Sequence, residues 1–446
     1  MYHFNHAGAS PSPPTVVERV KRHIELEQEI GGYAAAETVI DELNSIYHSI
    51  ASLIHADSFH EIALVESATV AWTRAFYAMA EKQLRDNPTR NVILISEAEY
   101  AANVVSACQW ARSHDWTVLA IPSRTVTTRN DKNEIVSTNT GKVDVEVLQQ
   151  MLEGNYSYTD PRDESTIILD PNRIALVCIT HVPTNSGIVN PVDKIGSLVY
   201  DYNLRHNDGP VPILYLVDSC QSIGQIKIDV GELHCHALVA TGRKYLRAPR
   251  GTGFLFVSSS ILEPLIPSHV DHFGFPVRSV PTSYQDGFAI QNLLDFAPRP
   301  DARRFEFWES SAASRLGLGV AVKHALELSL TKIQADCSAL SRKLRSKLAS
   351  LPNIYVHHEN DSSCGIVTFI SKTVDSQTIK AKLRQARFEV TIVPATSTPI
   401  DSAKTGVPNL VRASISYTNT EDEIDLLINC LAGILGSEDE VATPQH

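Results

Sequence analysis

Short apolar runs alternate with amphipathic segments over the first two thirds of the chain. Residues 91–96, 173–180 and 211–218 form three such runs, each with the length and composition of a buried strand. Residues 101–113, which follow the first run, have the composition of a helix. Strands that alternate with helices predict a largely parallel sheet covered on both faces, with ligands at the carboxyl ends of the strands. The pattern therefore predicts an α/β fold.

The pattern changes near residue 300, where two helical segments precede several short strands. The strands near 354–357, 365–370 and 410–417 are separated by polar turns and a further helix, which is typical of a smaller α+β domain. We predict four regions: an N-terminal segment and helix at 1–30, a large domain at 31–302, a small C-terminal domain at 303–436, and a disordered tail at 437–446.

Composition narrows the classes of function. The 446 residues are 43% hydrophobic and 20% charged, as in an ordinary globular protein with a substantial core. The formal net charge of −12 argues against a nucleic-acid partner. No apolar run reaches transmembrane length, and the start of the chain lacks the basic and apolar regions of a signal peptide, so we expect no membrane partner and a cytoplasmic location.

The cysteines and histidines give no metal signal. Seven cysteines are scattered without close pairing, which is typical of thiols in a reducing compartment. The triplet His234-Cys235-His236 has no partner pair at ligand spacing, so we predict no metal site.

A lysine lies between two apolar runs that read as strands, 237–241 and 253–257. Three arginines surround this Lys244 in the sequence: Arg243, Arg247 and Arg250. Partial burial and neighbouring positive charge disfavour the ammonium form, which leaves a free amine able to form a Schiff base with an aldehyde. A solvated basic loop is the alternative interpretation of this stretch alone.

A second signal lies upstream, where the apolar run at 211–218 ends in Asp218 and Gln221 follows three positions later. A carboxylate just after one strand and a lysine just after the next fit a cofactor whose pyridinium nitrogen needs a carboxylate and whose aldehyde needs an amine. The two signals together favour a pyridoxal cofactor over a basic loop.

These residues resemble the class V aminotransferase family of pyridoxal-phosphate enzymes. The resemblance rests on Asp218-Ser219-Cys220-Gln221-Ser222-Ile223-Gly224, then Thr241-Gly242-Arg243-Lys244, then Pro249-Arg250-Gly251-Thr252-Gly253, and it runs through nearly the whole chain. The family includes cysteine desulfurases, selenocysteine lyases, isopenicillin N epimerase-like proteins and ergothioneine-pathway C–S lyases. The resemblance implies pyridoxal 5'-phosphate as cofactor, the aspartate aminotransferase-like fold type I, an N-terminal active-site segment, and Lys244 as the catalytic residue.

The resemblance also implies roles for other residues around the cofactor. Ala68 and Thr69 open a predicted helix whose free N–H groups suit a phosphate, and Tyr100 has a flat ring that suits stacking on the pyridine. Thr184 stands where many members carry an asparagine near the phenolic oxygen. The full set of predicted cofactor-binding residues is Ala68, Thr69, Tyr100, Thr184, Asp218, Gln221, Thr241, Arg243 and Lys244.

Three residues are predicted to bind the substrate. Arg412 lies on an otherwise apolar strand, where an unpaired guanidinium is costly, and the resemblance implies that it binds a substrate carboxylate. A salt bridge to a neighbouring acid is the alternative. Asn5 belongs to a segment that resembles the family's N-terminal active-site loop. Tyr33 follows a Gly31-Gly32 break, which either lines the pocket or is a plain turn between helices.

The motifs specify the cofactor better than the reaction. Our first expectation is a C–S or related β-eliminating lyase that acts on a cysteine-type amino acid; the alternatives are an aminotransferase or epimerase of a small amino acid, and a cofactor-free binding protein of the same fold. A persulfide-forming desulfurase is disfavoured because the loop at 393–401 has no cysteine, and Cys364 beside an apolar strand suggests packing. The family further implies a homodimer with shared active sites, to which residues 262–304 contribute.

Overall fold

The computed structural model describes residues 1–129, 135–206, 212–283, 286–287, 289–358 and 364–439. The strands, in chain order, are β1 (Tyr2–His3), β2 (Ile62–Val65), β3 (Val92–Ser96), β4 (Thr117–Ile121), β5 (Ser123–Arg129), β6 (Ile135–Val143), β7 (Ser157–Thr159), β8 (Thr166–Ile168), β9 (Ile174–Thr180), β10 (Leu214–Asp218), β11 (Ala237–Thr241), β12 (Gly253–Val257), β13 (Val277–Ser279), β14 (Asp295–Phe296), β15 (Ile354–Val356), β16 (Ile366–Ser371), β17 (Phe388–Glu389), β18 (Thr391–Val393) and β19 (Leu410–Ser414).

The helices connect and cover these strands. In chain order they are α1 (Pro14–Ile30), α2 (Gly32–Thr38), α3 (Ile40–Ile54), α4 (Ala68–Asp86), α5 (Ala101–His114), α6 (Val145–Leu152), α7 (Val192–Arg205), α8 (Val230–Leu233), α9 (Ser259–Leu262), α10 (Ala312–Leu328), α11 (Leu330–Ala349), α12 (Ser376–Gln385), α13 (Pro399–Thr405) and α14 (Glu421–Asp439).

A seven-stranded sheet in the order β2-β12-β11-β10-β9-β3-β4 forms the centre of the molecule. The pairs among β11, β10, β9, β3 and β4 are parallel, and β12 is antiparallel to both of its neighbours. Every residue of β9, β10 and β11 is buried, as expected for strands covered on both faces. The predicted α/β fold with a mostly parallel sheet is confirmed.

The parallel strands place their polar ends at one edge of the sheet. Strands β3, β9, β10 and β11 end in Ser96, Thr180, Asp218 and Thr241. Asp218 is paired directly with Thr180 across β10 and β9. Polar residues that lie far apart in the sequence are therefore neighbours at this edge, where a ligand is expected in a sheet of this kind.

The C-terminal region has its own antiparallel sheet in the order β15-β16-β19-β18. Its core combines this sheet with apolar residues of α11, α12 and α14. The start of the chain joins this region, because β1 pairs with β17 and Phe4 lies in the same core. Helix α10 packs against α1 and α3 in the large core, although the predicted boundary at 302/303 assigned it to the small domain.

Strands β5 and β6 pair antiparallel outside the two main sheets, and residues 130–134 between them lie outside the described residues. Helix α14 continues to Asp439, and the rest of the predicted disordered tail, 440–446, lies outside the described residues. In the described part of the chain, no helix is both long and apolar enough to span a bilayer. No cluster of three metal-ligating side chains is found there either.

Candidate active site

One cleft at the carboxyl edge of the large sheet is lined by all nine residues predicted to bind the cofactor. Its volume is about 530 Å³, measured out to its open mouth. The nine residues are Ala68, Thr69, Tyr100, Thr184, Asp218, Gln221, Thr241, Arg243 and Lys244. Five further residues line the cleft and were not predicted from the sequence: Ser67, Asn103, Thr180, Val182 and Cys220.

Lys244 lies at the bottom of this cleft with 9% of its surface exposed. Burial lowers the pKa of its ammonium, the charges of Arg243 and Arg412 add to that effect, and the neighbouring Cys220 thiol opposes it. A depressed pKa leaves more of the amine unprotonated and able to act as a nucleophile or a base.

Asp218 lies near Lys244 at the end of β10 and is 4% exposed. Its Oδ1 accepts the Cys220 N–H at 2.8 Å, and its Oδ2 accepts the side-chain amide of Asn103 at 3.0 Å. Burial raises the pKa of the Asp218 carboxyl, and these two donors oppose the rise. Each carboxylate oxygen thus has one fixed donor.

The other end of the cleft suits a phosphate. Helix α4 begins there at Ala68, and the side chain of Ser67 caps it by accepting the N–H of Val70 at 3.2 Å. Free N–H groups at the start of a helix favour an anion. Thr241 and Arg243 approach from the end of β11, and the Arg243 guanidinium also donates to the backbone carbonyl of Gly8.

Arg412 lies beside the cleft on β19 and is 5% exposed. Its Nη1 donates to the hydroxyl of Thr184 at 2.6 Å and to the carbonyl of the same residue at 3.3 Å. Burial lowers the pKa of Arg412 to about 10. No carboxylate forms an ion pair with it among the residues that the structure describes, so the alternative of a salt bridge finds no support.

Gln221 connects Thr184 to the N-terminal segment. Its Nε2 donates to the Thr184 hydroxyl at 3.2 Å and to the Ala7 carbonyl at 3.2 Å. The segment is also attached to β19, because the Ala7 N–H donates to the Ser414 hydroxyl at 2.9 Å. The start of the chain is therefore attached to Gln221 of the cleft lining and to β19.

Asn5 and Tyr33 do not line the cleft. Asn5 belongs to the same N-terminal segment, and its Oδ1 is buried without a hydrogen-bond partner among the described residues. Tyr33 lies on α2 with 76% of its surface exposed, so within this chain the Gly31-Gly32 break is a turn between helices.

The residues present fit pyridoxal phosphate. A buried amine, a buried carboxylate and a helix N-terminus border the same cleft, and the Oε1 of Gln221 is buried there without a partner in the described part of the chain. The amine matches the aldehyde of the cofactor, the carboxylate its pyridinium nitrogen, the helix N-terminus its phosphate, and the Gln221 side chain a polar substituent of the ring. A larger cleft lies at the opposite edge of the sheet near His206 and His236, and its volume is about 1340 Å³ when the solvent at its mouth is included. Its described lining contains no lysine, and therefore no lysine–carboxylate pair like that of Lys244 and Asp218.

The fold and the cleft define a pyridoxal-phosphate-dependent enzyme of fold type I. The family described as Aminotransferase class-V matches residues 1–149 and 136–427. The chain therefore belongs to the class V aminotransferase family, which uses pyridoxal 5'-phosphate.

Three known proteins illustrate the similarity. A probable cysteine desulfurase of Methanothermobacter thermautotrophicus is 29% identical over 286 residues, which cover 60% of this chain and 64% of that relative. A cysteine desulfurase of Dickeya dadantii is 25% identical over 397 residues, covering 89% of this chain and 81% of the relative. The structure of the cystine C–S lyase C-DES with its reaction product cysteine persulfide superposes with a TM-score of 0.73 at 19% identity, covering 96% of this chain and 97% of that one.

Proposed function

We propose that this enzyme cleaves the carbon–sulfur bond of a cysteine-type amino acid by β-elimination. The observation that carries the proposal is the pair of a buried Lys244 amine and a buried Asp218 carboxylate in one cleft, with the buried Arg412 guanidinium bonded to Thr184 of the cleft lining. The names of the similar proteins, cysteine desulfurase and cystine C–S lyase, support a cysteine-type substrate.

In this proposal different cleft residues contact different parts of the cofactor. When bound, pyridoxal phosphate supplies an electron sink for the bond that breaks at the substrate Cα. Lys244 attaches it covalently, Asp218 holds a proton at the pyridine nitrogen, and Tyr100 covers the ring. The remaining contacts are to the phosphate, from Ala68, Thr69, Thr241 and Arg243, and to the phenolic oxygen, from Gln221 and Thr184.

Arg412 binds the carboxylate of the substrate. Its guanidinium is already desolvated and lacks a carboxylate partner in the described residues, so a bidentate pair with the substrate removes an existing cost. Asn5 remains a proposed substrate contact because its buried Oδ1 is without a partner among those residues. Tyr33 has no comparable support within its own chain.

Lys244 is the base in this proposal. Its buried amine would take the Cα proton, and the electron pair of that C–H bond would form a Cα–Cβ double bond. The electron pair of the Cβ–S bond leaves with sulfur, which is then protonated. The aminoacrylate that is released reacts with water to give pyruvate and ammonia. The electrons balance without an external oxidant or reductant.

The cysteines favour β-elimination over transfer of sulfur to the protein. The loop at 393–401, just after β18, has no cysteine. Cys364 is 1% exposed, donates to the Gly187 carbonyl at 2.6 Å, and packs among Tyr245, Ile366 and other apolar residues. A thiol in that position supports the fold, and we expect it to carry no persulfide.

Replacement of Lys244 tests the cofactor assignment. We expect Lys244→Ala to abolish the visible absorbance band of lysine-bound pyridoxal phosphate, while far-ultraviolet circular dichroism stays unchanged. The matched control Lys21→Ala removes an exposed lysine of α1 and should keep the band. A band that survives in Lys244→Ala would contradict the assignment. A wild-type protein that shows no band after addition of pyridoxal phosphate would indicate a cofactor-free binding protein.

Product analysis tests the reaction. Cysteine, cystine and cysteine conjugates are added one at a time, and pyruvate, ammonia, sulfide and alanine are assayed. Pyruvate with ammonia is the expected result, with activity retained in Cys364→Ser. Alanine formation that is lost in Cys364→Ser would mean persulfide chemistry. Conversion of the cofactor to its pyridoxamine form, reversed by a keto acid, would mean transamination, and loss of substrate chirality without product would mean an epimerase.

We also propose a homodimer in which residues 262–304 of one subunit border the active site of the other, and a cytoplasmic location. Several exposed apolar side chains in that region support an interface, among them Ile266, Val280 and Phe296. Light scattering should give the mass of a dimer, and a monomeric mass would contradict this part of the proposal.

A further inference from the structure

A second buried carboxylate lies directly behind Asp218. Glu99 follows β3 and is fully buried, with 0% of its surface exposed. Asn103, in the first turn of α5, lies between the two acids and is 2% exposed. Its side-chain Nδ2 donates to Glu99 Oε1 at 2.8 Å and to Asp218 Oδ2 at 3.0 Å. One amide group thus joins two buried carboxylates.

The surroundings of Glu99 suit an ionised carboxylate. Its Oε2 accepts the Ser96 hydroxyl at 2.8 Å and the Thr180 N–H at 2.9 Å. Its Oε1 accepts the Tyr100 N–H at 3.3 Å and contacts the Thr180 hydroxyl. With the Asn103 amide, every partner is a donor or a hydroxyl that can donate. Burial raises the pKa of Glu99, the donors from Thr180 and Asn103 oppose that rise, and the charge of Asp218 adds to it.

Asp218 depends on this arrangement for its orientation. The Asn103 amide fixes Oδ2 and the Cys220 N–H fixes Oδ1, so the plane of the carboxylate is set by two donors from different elements. One remaining lone pair of each oxygen is left for the cleft that Asp218 lines. An ionised Glu99 would make it harder for Asp218 to be ionised alone, and would therefore favour a cation placed against Asp218.

We propose that Glu99 and Asn103 are positioning residues, which set the orientation and the basicity of Asp218 and so keep the pyridine nitrogen of the cofactor protonated. This inference rests on the role of Asp218 in the proposed function. Asn103 fixes the carboxylate, and Glu99 supplies the negative charge that strengthens it as a proton acceptor. Neither residue touches the reacting atoms of the substrate.

The test uses the holoenzyme loaded with pyridoxal phosphate labelled with ¹⁵N at the ring. The nitrogen resonance distinguishes the protonated from the unprotonated ring, and its pH titration gives the pKa of that nitrogen. We expect Glu99→Gln to lower this pKa, so that the ring loses its proton at lower pH than in the wild type. We expect Asn103→Ala to weaken binding of pyridoxal phosphate about tenfold, because a charge-assisted hydrogen bond to Asp218 is lost.

Two further variants keep the test decisive. Thr180→Val removes only the hydroxyl near Glu99 and keeps a β-branched side chain in β9, so it should shift the nitrogen pKa in the same direction by less. Ser106→Ala is the structural control: the Ser106 hydroxyl, one turn beyond Asn103 on α5, accepts the Trp72 indole N–H at 2.9 Å and donates to the Asn103 backbone carbonyl at 2.8 Å, but Ser106 does not line the cleft. It should lower the melting temperature and leave the nitrogen resonance unchanged.

Asp218→Asn separates failure of this inference from failure of the proposed function. If Asp218→Asn removes the ring proton but Glu99→Gln, Asn103→Ala and Thr180→Val behave like Ser106→Ala, the inference about Glu99 and Asn103 is wrong and the role of Asp218 stands. If Asp218→Asn leaves the ring protonated, the proposed role of Asp218 itself is wrong.

Discussion

Two buried arginines, Arg304 and Arg412, differ in how many hydrogen-bond acceptors surround their guanidiniums. Arg304 is 4% exposed and donates to four backbone carbonyls at 2.8–3.1 Å, those of Leu262, Glu263, Leu265 and Arg299. Arg412 is 5% exposed, yet the described residues offer its guanidinium only the hydroxyl and carbonyl of Thr184, and its Nε is without a partner. The two side chains are similarly buried, but Arg304 has more hydrogen-bond acceptors than Arg412 to replace the water that burial removes.

The difference separates a guanidinium whose donors are satisfied by the fold from one that is free to bind a ligand in the proposed function. Burial lowers the pKa of both guanidiniums. Around Arg304 the carbonyl dipoles compensate for lost water, and the side chain ties the turn after α9 to the turn before α10. Around Arg412 the compensation is incomplete, which costs the free enzyme stability that an anionic ligand restores. The number of satisfied donors, and not burial alone, supports the proposal that Arg412 binds the substrate.

The largest effect is expected from Arg412→Ala. Removing one partner of a desolvated charge pair costs about 4 kcal/mol of binding or transition-state stabilisation, so kcat/KM should fall by about a thousandfold. The melting temperature should stay the same or rise, because an unsatisfied buried charge is removed. Steady-state kinetics and differential scanning fluorimetry measure the two quantities. Retained activity with a large loss of stability would make Arg412 a structural residue like Arg304.

Arg304→Ala should give the opposite result. Four carbonyls lose their donor, and we expect the free energy of unfolding to fall by about 3 kcal/mol. At temperatures where the variant is folded, kcat/KM should change little. Urea unfolding measures the effect, with Arg342→Ala, an exposed arginine of α11, as the matched control. A variant with unchanged stability would remove the distinction drawn between the two arginines.

Thr184→Val addresses the one side-chain contact that Arg412 has in the described residues. The Thr184 hydroxyl accepts from Arg412 at 2.6 Å and from Gln221 at 3.2 Å, so valine removes the acceptor that they share and leaves Arg412 only the longer bond to the Thr184 carbonyl, which lets the guanidinium shift. We expect KM to rise about tenfold with a smaller change in kcat. Thr184→Ser keeps the hydroxyl and should restore KM. Equal defects in the valine and serine variants would point to the methyl group and contradict this role.

The fold and the strand ends could be predicted from the sequence because both follow from local pattern. Buried strands appear as apolar runs, and the polar residues that end them, such as Asp218 and Thr241, are forced to one edge of a parallel sheet. Lys244 could be found in the same way, as a basic residue just beyond a strand.

The supporting contacts could not be predicted, because they join residues far apart in the chain whose spacing carries no signal. Asn103 meets Asp218 across 115 positions, and Thr184 meets Arg412 across 228. Tyr33 was predicted from a glycine break that folds into an exposed turn. Cys220 lies two positions after Asp218, inside the motif that carries the family resemblance. Its position in the cleft was not predicted because a thiol has no fixed role there.

Two buried acids, Glu306 and Asp401, differ in the same way as the two arginines. Glu306 is fully satisfied by Tyr47, the Leu64 N–H and Arg315. Asp401 on α13 is 3% exposed, and its Oδ1 is buried without a partner among the described residues. Burial raises the pKa of Asp401 to about 6, and the nearby charge of Glu97 adds to the rise.

The sign of the pH effect follows from this raised pKa. The folded protein holds the Asp401 proton more tightly than the unfolded chain does. The stability that protonated Asp401 contributes is therefore fully present below about pH 4 and is lost as the pH rises through about 6. Asp401→Asn removes the ionisation, and its stability relative to the wild type should be about 1 kcal/mol more favourable at pH 8 than at pH 5. Melting temperatures of both proteins at the two pH values measure this, with the exposed Asp422→Asn as control. An equal difference at pH 5 and pH 8 would mean that Asp401 does not titrate in this range, and a variant less stable at pH 8 would mean that its carboxylate is paired, as Glu306 is.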